Sequence, residues 1–257
     1  MTGDDHVLAR DLAGQAGQRL LELRAQGGDP DALRKAGDRL SHEFLTAALA
    51  GQRPGDVVLS EEGADNPARL GARRVWIVDP LDGTREFGEP GRGDWAVHVA
   101  LWEKGDVTGP GDLTAGAVAL PAQGTVLSTA EPPPGPPGDE AFDRIRIVVS
   151  RSRPPSFVRD ISGLINAELV PLGSAGAKVA AVICGEVDAY VHGGGFYEWD
   201  TAAPVAVARA AGLHASRIDG SALVYNQPDL LMPDILVCRP AVAGILLRAI
   251  REVTHAS

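Results

Sequence analysis

The stretch Trp76-Ile77-Val78-Asp79-Pro80-Leu81-Asp82-Gly83-Thr84-Arg85-Glu86 runs from an apolar segment into two carboxylates, a glycine and a threonine. It reads as a strand that stops, turns, and aims two acids and a set of backbone N–H groups at one point. Proline fixes its own φ and keeps Asp79 extended, so the strand is not expected to run on unchanged. The bend lets Asp79, Asp82 and the Leu81 carbonyl face one side. Acids so close repel unless a cation sits between them. Oxygen ligands of this mixed kind suit Mg²⁺. Gly83 permits close backbone approach, and the N–H groups that follow suit a phosphate oxygen. The Thr84 hydroxyl is placed to orient a water. A plain hairpin turn is the alternative, but a hairpin demands no such set.

Composition narrows the rest. The chain has 257 residues, 44% hydrophobic and 23% charged, which fits a globular protein of one unit or two fused halves. Lys and Arg number 24 against 34 Asp and Glu, a net charge of −10. That excludes the usual basic surface for a nucleic-acid polymer. No apolar run reaches membrane-spanning length, and Met1–Arg10 has no apolar signal region, so a cytoplasmic location is expected. The two cysteines, Cys184 and Cys238, lie in apolar runs and read as buried thiols.

The spacing of Leu8, Leu12, Ala16, Leu20 and Leu23 predicts a helix over 8–26, ended by Gly27-Gly28-Asp29-Pro30. A second helix is predicted over 38–50. Strands are predicted over 57–60, 74–79, 95–102, 114–120 and 124–129, with Gly109-Pro110-Gly111 in a turn. The Pro/Gly-rich run at 131–143 reads as a loop or linker. It divides an α+β half over 1–130 from an α/β half over 144–257. The second half alternates: strands over 144–149, 168–172, 187–192 and 234–238, helices over 155–166, 176–184, 198–211 and 241–253.

Further acids stand at predicted element ends. Asp38 and Asp200 are expected at helix starts, where N-capping is the ordinary role. Glu61 and Glu62 follow a strand, where a solvated loop is the ordinary reading.

Taken together, the motifs resemble the inositol monophosphatase superfamily of Mg²⁺-dependent, lithium-sensitive phosphatases. The 76–87 signature is one part. Others are Ser60-Glu61-Glu62, Gly173-Ser174-Ala175-Gly176-Ala177-Lys178, Gly185-Glu186-Val187-Asp188-Ala189-Tyr190, and Glu198-Trp199-Asp200-Thr201-Ala202-Ala203-Pro204. The likeness spans roughly residues 10 to 250. Lys178, the Thr84-Arg85-Glu86-Phe87 ending and Trp95–Leu101 lean toward the bacterial 3′(2′),5′-bisphosphate nucleotidases, the CysQ proteins. These remove the 3′-phosphate from 3′-phosphoadenosine 5′-phosphate in sulfur assimilation.

The resemblance implies an α/β fold, a layered αβαβα sandwich, and two or three Mg²⁺ ions. Glu61, Asp79 and the Leu81 carbonyl would hold one ion, and Asp79, Asp82 and Asp200 a second. Asp38 with Thr84 would position the nucleophilic water. Leu81, Asp82, Gly83, Thr84 and Asp200 would surround the scissile phosphate. Gly173, Ser174, Ala175 and Lys178 would lie near the rest of the substrate. The segment Asp31–Gly37 departs from the lysine-rich Ser-Pro-Val-Thr segment often found before the Asp38 position.

The expected partner is a small phosphate ester, a nucleoside bisphosphate, with no nucleic-acid polymer and no membrane; oligomeric state is left open, a homodimer included. His98 is expected to pack or lie on the surface rather than to serve as a ligand. Ser150-Arg151-Ser152-Arg153 is a solvated loop or a contact for a second phosphate. His192 with Gly193-Gly194-Gly195 resembles a pocket rim, and Trp95, Phe196 and Tyr197 are core residues or a stacking surface for a base. Rival readings are activity on inositol phosphate or fructose 1,6-bisphosphate, and a non-catalytic metal or nucleotide sensor.

Overall fold

In the computed structural model, residues 4–105, 111–136, 143–152 and 154–255 are described. Parts of two expected loops, residues 109–110 and 137–142, and Arg153 lie outside them. Residues 131–136 carry neither helix nor strand.

Two helices open the chain, α1 (Asp5–Ala25) and α2 (Pro30–Gln52). A sheet follows, built from β1 (Val57–Ser60), β2 (Arg74–Asp82), β3 (Ala96–Glu103), β4 (Asp112–Leu120) and β5 (Thr125–Ser128), in that spatial order. Strands β1 and β2 are parallel, and the rest form an antiparallel meander. The short helix α3 (Thr84–Gly88) leaves the end of β2.

The second sheet has the order β10 (His214–Ser216), β12 (Ile235–Cys238), β8 (Ala189–His192), β6 (Arg146–Ser150), β7 (Glu168–Leu172). Its helices are α4 (Ser156–Ile165), α5 (Ala175–Ile183), α6 (Glu198–Ala210) and α7 (Pro240–His255). A small ribbon pairs β9 (Phe196–Tyr197) with β11 (Leu231–Met232).

Strand alternation sets the layering. Trp76, Val78, Val97 and Val99 face one way and join Leu12, Leu20, Leu45 and Leu49 of α1 and α2. Val75, Ile77, Ala96 and Ala100 face the other way and pack on Val179, Val182, Ala202 and Val205 of α5 and α6, which also meet Val148, Tyr190 and Val237 of the second sheet. The far face of that sheet, with Ile147, Val191 and Leu236, packs on α4 and α7. The result is a layered α/β/α/β/α fold, as the resemblance implies. Among the described residues no helix is long and apolar enough to cross a membrane.

Two elements near the motif differ from expectation. Strand β2 does not stop at Asp79. It pairs Asp79 with His98 and resumes at Asp82 with Ala96, so Pro80 and Leu81 occupy a bulge. A bulge absorbs the proline, which has no N–H to give the ladder, and ladder pairing continues beyond it. Helix α2 begins eight positions before the expected start. Asp29 caps it by accepting from the Ala32 N–H (2.9 Å), with Pro30 in the first turn. Asp29-Pro30 is therefore the start of a new helix as well as the end of the loop. Asp38 consequently lies within α2 and is not an N-cap.

Gly37 sets how closely α2 approaches the motif. A Cβ there would stand 2.9 Å from both Leu81 Cδ2 and Phe87 Cε1. Gly37→Val is expected to destabilise the protein by about 2 kcal/mol through overpacking and helix propensity. A lowered urea midpoint with unchanged slope checks this, and an unchanged midpoint contradicts it.

Candidate active site

The β2 bulge, the end of β1, and the starts of α5 and α6 converge on one open cavity of about 1010 Å³. Glu61, Asp82, Gly83, Thr84, Gly173, Ser174, Ala175, Lys178 and Asp200 all line it. Asp79 is buried at 1% exposure and adjoins it through the charges of Glu61, Asp82 and Asp200. Asp38 reaches it through Thr84: Thr84 Oγ1 lies 3.0 Å from the Leu81 carbonyl and 3.4 Å from Asp38 Oδ1. The threonine hydroxyl has one proton to give, so it donates to one of these oxygens at a time.

Asp82 is oriented from the opposite half of the chain. Its Oδ2 accepts from the Ser174 hydroxyl (2.5 Å) and the Gly176 N–H (2.7 Å) at the start of α5. Asp79 Oδ1 accepts from the Leu81 N–H (3.0 Å), which pins the bulge. Asp200 stands in the first turn of α6 and accepts from the Tyr197 N–H (2.6 Å), so a capping contact does exist there. It does not consume the carboxylate, which also lines the cavity. Gly83 takes φ 83°, left-handed backbone that favours glycine, and an added Cβ would meet Ser174 Cβ at 3.0 Å.

Charge is the dominant feature. Burial, then the charges of Glu61, Asp82 and Asp200, hold the Asp79 carboxyl well above its usual range. Glu61 keeps an exposed face in the cavity, yet the surrounding protein removes enough water to push it up to about 7, with Asp200 adding repulsion. Asp200 is pushed up to about 7 by burial and by Asp82, against the Tyr197 N–H and Lys178. Burial and the charge of Glu62 push Asp38 up to about 6, against the Thr84 hydrogen bond. These acids are electrostatically unsatisfied, and hard oxygen donors of that kind fit a divalent cation.

His98 joins this cluster. Asp79, Asp82 and His98 each offer a ligand atom within 4.8 Å of the others, a set capable of binding a divalent metal. His98 is fully buried, not on the surface. Its Nδ1 lies 3.1 Å from the Trp199 carbonyl and its Nε2 3.3 Å from Asp82 Oδ2. Strand register brings it there, as the partner of Asp79. Its only sequence signal is a polar residue in an apolar strand.

Lys178 is buried, and its Nζ donates to the carbonyls of Gly173 (2.9 Å) and Ser174 (2.6 Å). It fastens the loop that orients Asp82. Arg151 pairs with Glu86 (2.7 Å) and Glu89 (3.1 Å). His192, Gly193, Gly194, Gly195, Phe196 and Tyr197 line the cavity, while Trp95 is fully buried against Phe87 in the core. Sequence reasoning passed over Glu198. Its buried carboxylate accepts the N–H groups of Asn226 and Gln227 (both 2.7 Å), anchoring the start of α6 beside Asp200.

The profile of the inositol monophosphatase family matches residues 8–255. The chain is 51% identical over 255 residues to the 3′-phosphoadenosine 5′-phosphate phosphatase of Mycobacterium leprae (strain TN), covering 97% of this chain and 94% of that one. Among solved structures, inositol monophosphatase-II from Staphylococcus aureus MSSA476 matches with a TM-score of 0.80 at 22% identity, over 97% of this chain and 96% of that one. CysQ from Bacteroides thetaiotaomicron, a bacterial member of the inositol monophosphatase family, matches with a TM-score of 0.76 at 29% identity, over 91% and 97%. The chain belongs to the inositol monophosphatase family.

The raised acids make stability depend on pH. Asp38, Glu61 and Asp200 have ordinary values of 3.8, 4.5 and 3.8, and stand at about 6, about 7 and about 7 in the fold. A carboxyl raised in this way adds its full stability below its unfolded value and loses it as pH rises through its folded value. Cation-free protein should therefore lose thermal stability between about pH 4 and pH 7. The gain in Tm on adding a divalent cation should grow over the same window, to roughly 5 °C or more near pH 8. Scanning fluorimetry across pH checks this; a cation effect of the same size at every pH contradicts it.

Proposed function

We propose that this member of the inositol monophosphatase family is a Mg²⁺-dependent phosphomonoesterase. It hydrolyses the 3′-phosphate of 3′-phosphoadenosine 5′-phosphate, giving AMP and inorganic phosphate, in the sulfur assimilation of the cytoplasm. One observation carries the reaction: Glu61, Asp79, Asp82 and Asp200 crowd a single cavity with too little positive charge to match them. The choice of substrate is supported by the 51% identity to the Mycobacterium leprae phosphatase.

In this reading Glu61, Asp79 and the Leu81 carbonyl would hold one ion, and Asp79, Asp82 and Asp200 would hold a second. Bound there, the ions would supply charge neutralisation at phosphorus and at the departing oxygen, and a more acidic water. The protein's own groups do the rest. The Gly83 and Thr84 backbone N–H groups hold the scissile phosphate. Thr84 Oγ1, between the Leu81 carbonyl and Asp38, orients the attacking water in line with the sugar oxygen. Asp38, with its carboxyl near 6, is mostly ionised at neutral pH and accepts the proton passed through that hydroxyl. The loop from Gly173 to Ala175, fastened by Lys178, borders the remainder of the substrate.

Asp79→Asn is expected to lower phosphate release by about 10³-fold or more while raising the Tm of cation-free protein, because a buried like charge is removed. Turnover near wild type at ordinary Mg²⁺ contradicts the ligand assignment. A phosphate-release panel over 3′-phosphoadenosine 5′-phosphate, inositol 1-phosphate and fructose 1,6-bisphosphate, repeated with Li⁺, tests the substrate. The bisphosphate nucleotide should be preferred by about tenfold or more in kcat/KM and Li⁺ should inhibit. Preference for inositol phosphate or the sugar contradicts the reading, and binding of nucleotide without release contradicts catalysis altogether.

A further inference from the structure

A substrate with two phosphates needs a cation for the one that is not cleaved, and most of the positive charge around this cavity is already engaged. Lys178 lines the cavity, but its buried Nζ is held by two backbone carbonyls. Arg151, on the segment after β6, is paired with Glu86 and Glu89. Arg85 differs from both. It is exposed, it lines the cavity, and among the described residues its side chain makes no ion pair or hydrogen bond. Its place in the chain is also suitable. It directly follows Thr84, about 3.8 Å away between Cα atoms, so it lines the cavity one residue from the scissile-phosphate position.

The neighbouring wall supplies hydroxyls. The Glu86–Arg151 ion pair ties α3 to the β6–α4 segment, and that segment contributes Ser152 and Ser156 to the same cavity. Arg85 on α3 and the two serines thus line the same cavity, on two segments that this ion pair joins. We propose that Arg85 is the specificity residue for the second, uncleaved phosphate of the substrate, with Ser152 and Ser156 completing that subsite. This rests on the nucleotidase reading above. A guanidinium offers two parallel donors to a phosphate and keeps its charge at any working pH. In a chain of net charge −10 it also offsets repulsion of a polyanionic substrate.

The test compares 3′-phosphoadenosine 5′-phosphate with 3′-AMP, which differs only in lacking the second phosphate, on wild type, Arg85→Gln and Arg85→Lys. Arg85→Gln should raise KM for the bisphosphate by about 10- to 100-fold, with kcat within about threefold, and leave KM for 3′-AMP within about twofold. Arg85→Lys should recover part of the loss, since it restores charge without the fork. Equal effects on the two substrates, or no effect, overturn the assignment while leaving the nucleotidase reading intact. A wild-type enzyme with no preference for the bisphosphate over 3′-AMP overturns the assignment as well. Wild type unable to cleave either nucleotide removes the reading on which the assignment rests.

Discussion

Repulsion among Glu61, Asp79, Asp82 and Asp200 is the constraint that the rest of the fold has to contain. These acids come from the end of β1, the bulge in β2 and the first turn of α6, elements far apart in sequence. Among the described residues, the interior charges that oppose them are Lys178 and a histidine whose protonation burial disfavours. Holding them together without a cation costs stability, and burial makes each ionisation harder. The structure meets the cost with backbone N–H anchors and one serine hydroxyl. The Leu81 N–H holds Asp79, Ser174 and Gly176 hold Asp82, and the Tyr197 N–H holds Asp200. Each anchor orients its carboxylate and leaves oxygen for a ligand, an arrangement suited to binding a hard ion and poorly suited to a dry core.

That arrangement explains why the layers meet where they do. The sheet of β1 to β5 and the helices α5 and α6 share one apolar core, and the site lies where their ends converge. Glu198 ties the start of α6 to the backbone at Asn226 and Gln227, and Arg69 extends that brace through Asn226 (2.8 Å). Lys178 does the same for the loop before α5. Residues with no contact to a reacting group thus fix the geometry of those that have it.

Much of this was legible in the sequence because it is local. Asp79-Pro80-Leu81-Asp82-Gly83-Thr84 carries its bend, its acids and its left-handed glycine within a few residues, and apolar periodicity marked most helices and strands. What depended on tertiary pairing was not legible. Register alone sets His98 opposite Asp79. The continuation of β2 past Pro80 needed Ala96 as a partner for Asp82. Asp38 was expected to begin a helix, because Asp29-Pro30 was taken only as a stop, whereas that pair caps α2 and puts Asp38 within it. The resemblance puts Lys178 near the substrate; the carbonyls that occupy its Nζ follow from the loop's fold. Arg85 carried no role of its own inside the signature, and the engagement of Lys178 and Arg151 singles it out.

In the proposed reading these acids form a site for more than one divalent ion, drawn from the first sheet and helix α6. Titration of Mn²⁺ into the metal-free protein, followed by the loss of the free-ion electron paramagnetic resonance signal, counts those ions directly. Wild type should bind at least two per chain, and Asp200→Asn should lose one while keeping the other. A single ion in wild type, or the same count in both proteins, would contradict the account.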